Sequence, residues 1–166
     1  MNKLKIFDSS KHLKILKIVA LSFAGLLLLW FTFDITGLKF GKIKIVTSAF
    51  VDEPIDFVFY LIFIASIVCF VLKDKIGKYM LLIFLLLWGT FQLTVYFKSG
   101  ESIAAYNNAF ADTHHIIAAS NDLLVKDTYH IFLDIFILLA LISVKFFFIV
   151  KIISLKGRLK MKEIKK

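Results

Sequence analysis

"IDFVFYLIFIASIVCFVLKDKIGKYMLLIFLLLWGTFQLTVYF" runs from Ile55 to Phe97. Two long apolar runs flank the turn "KDKIGK". About 20 residues at 1.5 Å each cross the roughly 30 Å of bilayer hydrocarbon. Each run is therefore sized for one crossing, and the turn between them leaves room only for a hairpin. Lipid offers no partner for bare backbone groups, so both runs must be helices.

The same reading extends outward in both directions. Ile15 to Ile35 precedes the hairpin as another span, and Tyr129 to Ile153 follows it. The spans are thus about 15–35, 55–72, 79–97 and 129–153. Segments 37–53 and 98–128 join them, and a basic tail covers 154–166. The chain is 60% hydrophobic, against roughly half for a soluble domain, and its mean hydropathy is +0.85. The fold expected is a single all-α integral membrane domain, a four-transmembrane-helix bundle.

Charge sets the expected orientation. The N-terminal arm, the "KDKIGK" turn and the stretch from Lys145 onward carry sixteen Lys or Arg and three acids, a balance of +13. The two longer loops and their flanks carry five lysines and nine acids, a balance of −4. Lysine-rich loops stay inside, so both termini should be cytoplasmic and both longer loops extracytoplasmic. The abundance of Ile, Lys and Phe suggests an AT-rich bacterial genome, hence a bacterial plasma membrane. The first span is too long for a signal-peptide core and reads as retained. Cys69 is the single cysteine, so a disulfide within the chain is excluded. The tail "KGRLKMKEIKK" reads as an anchor to anionic lipid, and nothing points to nucleic acid.

Local signals refine the picture. "VDEP" places Pro54 at a first helical position. "KDT" offers Asp127 or Thr128 as the cap of the last span. "KFGKIKIV" alternates over a few residues and suits a short strand. Ile103, Tyr106, Phe110, His114 and Ile117 recur at helical steps. They predict an amphipathic extracytoplasmic helix from Ile103 to Ile117, started by Ser102.

Titratable groups gather at one boundary. Asp34 ends the first span and Asp56 begins the second. Gln92 and Tyr96 lie in the outer part of the third, and His130 and Asp134 in the first turns of the fourth. Ionisable groups in a bilayer face a bundle interior or a wet cavity, so an outward-opening polar pocket is expected. His130 and Asp134 are four apart, on one helix face, and are the expected side-chain pair. A histidine oriented by Asp134 or Asp127 is a proton-transfer unit near neutral pH, and His115 would be a second base. The plainer reading is structural, with polar residues only capping helices or facing water. His115, His130 and Asp134 also offer ligands of the kind zinc or iron accepts, and His130 is the one histidine placed to ligate a haem between helices. Only the His-x3-Asp spacing is fixed, however, so neither a metal nor a cofactor is expected.

"THHIIAASNDLLVKD", residues 113–127, resembles a stretch of the bacterial lipoprotein intramolecular transacylases. In that family a histidine precedes the Asn of "SND" by six residues, as His115 precedes Asn121 here. The resemblance implies a small four-span enzyme with an outward-facing histidine site and brings in Ser120, Asn121 and Asp122 beside His115. The first extracytoplasmic loop contains no histidine to match that family's other motif. The chain as a whole, including "KDTYHIFLDIFILLAL", is similar to small four-span membrane proteins of Gram-positive bacteria, a likeness that implies no function.

Two functions follow as expectations. The first is binding of a small or lipidic ligand, or assistance to a membrane partner, through a pocket of Asp34, Asp56, Gln92, Tyr96, Asn121, Asp122 and Asp127. The second is an enzyme acting on lipid or lipoprotein acyl groups through His115, His130 and Asp134. Membrane lipids are the expected partners, with a partner protein or a homo-oligomer as the alternative.

Overall fold

The computed structural model describes residues 9–49, 54–117 and 123–163. Helix α1 covers Ser9–Thr36 and is followed by strands β1 (Leu38–Phe40) and β2 (Ile43–Val46). Then come α2 (Pro54–Leu72), α3 (Asp74–Thr94) with a 3-10 turn at Val95–Phe97, α4 (Glu101–Ala109) and α5 (Thr128–Glu163). Four of these helices are long and apolar enough to cross a membrane, with spans at Lys11–Thr36, Ile55–Leu72, Asp74–Phe97 and Thr128–Lys156. Only 17% to 28% of each span is buried within the chain, so most of its apolar surface faces outward. A water-soluble monomer does not tolerate apolar surface on that scale.

The core is a ladder of helical steps. Ala20, Ala24, Leu27 and Phe31 of α1 are buried with Tyr129, Leu133, Ile137, Ala140, Val144 and Phe147 of α5. Phe63 and Phe70 of α2 and Leu81, Leu85 and Trp88 of α3 complete the cluster. Intervals of three and four put each set on one face. The small side chains of Ala20, Ala24 and Ala140 suit the close α1–α5 approach, the most extensive helix pairing. Successive contacts α1–α2, α2–α3, α3–α5 and α5–α1 close the bundle into a ring. Between α1 and α2 a hydroxyl pair acts as glue: Thr32 donates to the Leu28 carbonyl and accepts from Tyr60 at 3.0 Å.

The hairpin joining α2 and α3 is tighter than the sequence suggests. Only Lys73 lies outside helix, and α3 starts at Asp74 rather than near Tyr79. Gly77 makes this possible. A Cβ there would lie 2.1 Å from the Phe70 backbone nitrogen, so the two backbones touch where any side chain would stand.

At the opposite end, α1 closes at Gly37, and the Ser48 hydroxyl donates to the Ile35 carbonyl at 2.7 Å. β1 and β2 pair antiparallel around Gly41, whose φ of 59° fits the first central position of a two-residue hairpin turn. The helix expected from Ile103 to Ile117 is shorter, ending at Ala109. It starts at Glu101 after Gly100, without a side-chain cap from Ser102. Beyond Phe110 the chain is diverted into other bonds. The His114 amide donates to Lys44 O of β2 at 2.7 Å, and the Thr128 amide of α5 donates to His114 O at 2.8 Å. Those bonds fix the approach to α5.

Candidate functional site

Asp127 is the N-cap of α5 and is fully buried. Its Oδ1 accepts the His130 backbone N–H at 2.8 Å, the bond an N-cap carboxylate makes to the third helical residue. The same oxygen lies 2.6 Å from His130 Nδ1. Thr113 Oγ1 stands 3.0 Å from Asp127 Oδ2 and 2.7 Å from the Phe110 carbonyl, and its single proton serves one of them at a time. Burial pushes the Asp127 carboxyl up, but bonds from His130 and Thr113 outweigh it and hold the group below the ordinary carboxylate range.

His130 is therefore paired with Asp127, not with Asp134 as its spacing predicts. Both carboxylates sit on the same face, at three residues before and four after. Asp127 wins because the cap geometry already aims it at the first turn of α5. In the neutral ring, Nδ1–H donates to Asp127 and Nε2 carries the lone pair. No hydrogen bond falls on Nε2 among the described residues. The ring lies against Phe110 at 4.7 Å and Tyr129 at 5.3 Å between centroids.

Asp134, one turn deeper, belongs to a second cluster. Its Oδ2 accepts from Lys126 Nζ at 2.7 Å and from the Tyr96 hydroxyl at 3.0 Å. The Lys126 ammonium also lies 4.4 Å from the Tyr96 ring centre and 3.5 Å from the Gln92 carbonyl. The Lys126 side chain is only 4% exposed. Consecutive residues thus feed two clusters: Lys126 neutralises Asp134, and Asp127 orients His130. Tyr106 of α4 links them. Its hydroxyl is buried with no hydrogen bond among the described residues. Burial, reinforced by Asp127 and Asp134, pushes its phenol far above the ordinary range.

A groove of about 410 Å³ opens between α3 and α5 directly below this second cluster. Tyr96, Asp134 and Gln92 form its polar end, and Leu86, Leu93, Ile137, Leu138 and Leu141 line its length. Ten helical residues separate Leu86 from Tyr96, about 15 Å, or half the hydrocarbon thickness. Gly89 forms part of the floor, where an added Cβ would meet Ile137 at 3.4 Å. Asp134 Oδ1 is buried with no hydrogen-bond partner among the described residues.

The remaining candidates fall apart from these two clusters. His115 Nε2 bonds the Phe110 carbonyl at 2.8 Å, so Phe110 stands between it and His130. His114 Nδ1 pairs with Thr128 Oγ1 at 2.7 Å. Asp34 and Asp56 are half-buried and do not line the groove. Ser120, Asn121 and Asp122 lie outside the described residues. Among the described residues, no three His, Cys, Asp or Glu side chains converge as a metal requires.

Sequence reasoning missed Lys126, Thr113 and Tyr106. Lys126 counts as a loop charge until the turn into α5 folds it back. Thr113 and Tyr106 carry no spacing relation to their partners. Comparison of the chain with family models, with curated proteins and with solved structures found no match in any of the three.

Proposed function

We propose that the protein is a four-span protein of a bacterial plasma membrane, with cytoplasmic termini, that holds a small or lipidic ligand at its extracytoplasmic end. The groove between α3 and α5 carries this reading. It is apolar along one leaflet's depth and ends in a polar group of Tyr96, Gln92 and Asp134. Lys126 leaves that end neutral, and the Asp134 oxygen that lacks a partner among the described residues suits a donor on the ligand, such as a hydroxyl or amide. Gly89→Leu would fill the floor. Native mass spectrometry of protein released from membranes should show a co-purified ligand lost in Gly89→Leu, with helix content unchanged. Equal ligand occupancy in the filled variant would refute the groove as the site. A reporter fused after Lys166 tests the orientation, and extracytoplasmic activity would overturn it.

The Asp127–His130 geometry supports a second reading, an enzyme acting on lipid or lipoprotein acyl groups. A buried carboxylate on Nδ1 leaves Nε2 as a base for an attacking hydroxyl or amine. His115 would act separately, since it makes no contact with His130. His130→Gln should abolish acyl transfer from a diacyl lipid while sparing ligand retention in the groove. Transfer at the unaltered rate would rule the base out.

A further inference from the structure

At the termini end of the bundle, two ammonium groups meet one carboxylate and a third lies one helical turn away. Lys17 of α1 lies 2.5 Å from Asp74 Oδ1, and Lys151 of α5 lies 2.8 Å from Asp74 Oδ2. Lys78, one turn along α3 from Asp74, makes neither an ion pair nor a hydrogen bond among the described residues. It is held between aromatic faces, with Nζ 4.8 Å from the Tyr79 ring centre and 4.9 Å from that of Phe148. The residue is 5% exposed, so a positive charge is held almost wholly inside the junction without an ion-pair partner among the described residues. Asp74 cancels one of three positive charges, so the junction keeps two in excess.

We propose that this junction of α1, α3 and α5 binds the phosphate of an anionic lipid, with Lys78 and Lys151 as its main donors. A phosphate supplies the acceptor oxygens that the Lys78 N–H groups lack and the charge that the cluster lacks. The source is a lipid rather than a soluble phosphate because Lys78 enters from a membrane-spanning helix beside the exposed apolar surface of Tyr79 and Ile83. Basic pockets between spans at this depth suit acidic headgroups. The orientation proposed above makes this the cytoplasmic leaflet, but the site does not depend on it.

The test places the full chain in nanodiscs of phosphatidylcholine containing a minor fraction of phosphatidylglycerol and counts retained phosphatidylglycerol by native mass spectrometry. Lys78→Gln should reduce retention about fivefold, the effect of one lysine at a membrane surface. Lys78→Arg, which keeps the charge, should retain it. Lys98→Gln, a lysine at the opposite end, should change nothing. Asp74→Asn should raise retention, because it removes the competing anion and frees two ammonium groups. Circular dichroism on each variant confirms the fold, and Lys151→Gln provides a second loss should Lys78→Gln not fold. Equal losses in Lys78→Gln and Lys98→Gln would show diffuse attraction and overturn the site. So would a fall in retention in folded Asp74→Asn. Thermal stabilisation by inorganic phosphate in pure phosphatidylcholine discs, matching that from phosphatidylglycerol, would overturn the lipid assignment.

Discussion

Asp127→Ala removes three hydrogen-bond contacts at once: to the His130 amide, to His130 Nδ1 and to Thr113. Loss of an N-cap costs about 1 kcal/mol. Loss of the imidazole bond to a charged acceptor costs about 1.5–3 kcal/mol. Thr113 keeps the Phe110 carbonyl and adds little. Relief from burying a carboxylate offsets roughly 1 kcal/mol of this, leaving a net loss of about 1.5–3 kcal/mol. Asp127→Asn retains an oxygen for both His130 bonds and loses only the charge, so it should cost about 1–1.5 kcal/mol. Reversible unfolding in mixed micelles, followed by Trp30 fluorescence, reads both. Trp30 is a local reporter because its ring stacks on Tyr129 at 5.5 Å and its N–H bonds the Tyr129 carbonyl. The acid limb provides a second check. A carboxyl held low in the folded state stabilises fully above its unfolded value of about 4, and that stabilisation disappears as pH falls through the lower folded value. Asp127→Asn should therefore flatten the decline below about pH 4. Equal losses for Ala and Asn would mean that Asp127 does not cap α5, and an unchanged acid limb in Asp127→Asn would mean that its charge does not stabilise the fold.

Three further sets of substitutions test the packing. Gly77→Ala drives a methyl into the Phe70 backbone and should destabilise by at least about 3 kcal/mol, whereas Gly25→Ala, with open space around it, should gain up to about 1 kcal/mol; both are read by the same unfolding assay. Lys126→Met leaves Asp134 without its cation and should cost about 2–3 kcal/mol, and adding Asp134→Leu should recover most of it, a coupling that a double-mutant cycle measures. Asn107 bonds the Leu123 carbonyl at 2.8 Å and the Val125 amide at 3.1 Å, so Asn107→Leu should accelerate hydrogen exchange at Val125 before any global loss of structure.

The spans were legible because membrane helices are written in composition, and composition survives without tertiary information. The α5 cap was legible too, since "KDT" before an apolar run is a local signal. The choice of His130's partner between Asp127 and Asp134 was not. Helical arithmetic places Asp127 and Asp134 on one face but does not decide a competition between two carboxylates for one ring. That competition is settled by cap geometry and by Lys126, which folds back from the connecting segment. The amphipathic steps past Phe110 misled for a similar reason: His114 pairs with Lys44 and Thr128, and these long-range bonds override the periodicity. The groove was half legible. Its residues Gln92, Tyr96 and Asp134 were singled out by depth, but the cavity beneath them depends on the spacing between two helices.

The α1–α5 pairing has a consequence for biogenesis. Helix α1 finds its principal neighbour in α5, which is made about ninety residues later, a delay of roughly 5–20 s at ordinary translation rates. Throughout that interval the Ala20–Ala24–Leu27–Phe31 face of α1 stands against lipid or against the insertion machinery. Its small residues form a groove that any passing helix of similar shape can enter. The bundle is thus a ring whose clasp closes only once α5 has been made, and a chain interrupted before Thr128 would leave that clasp open to foreign partners.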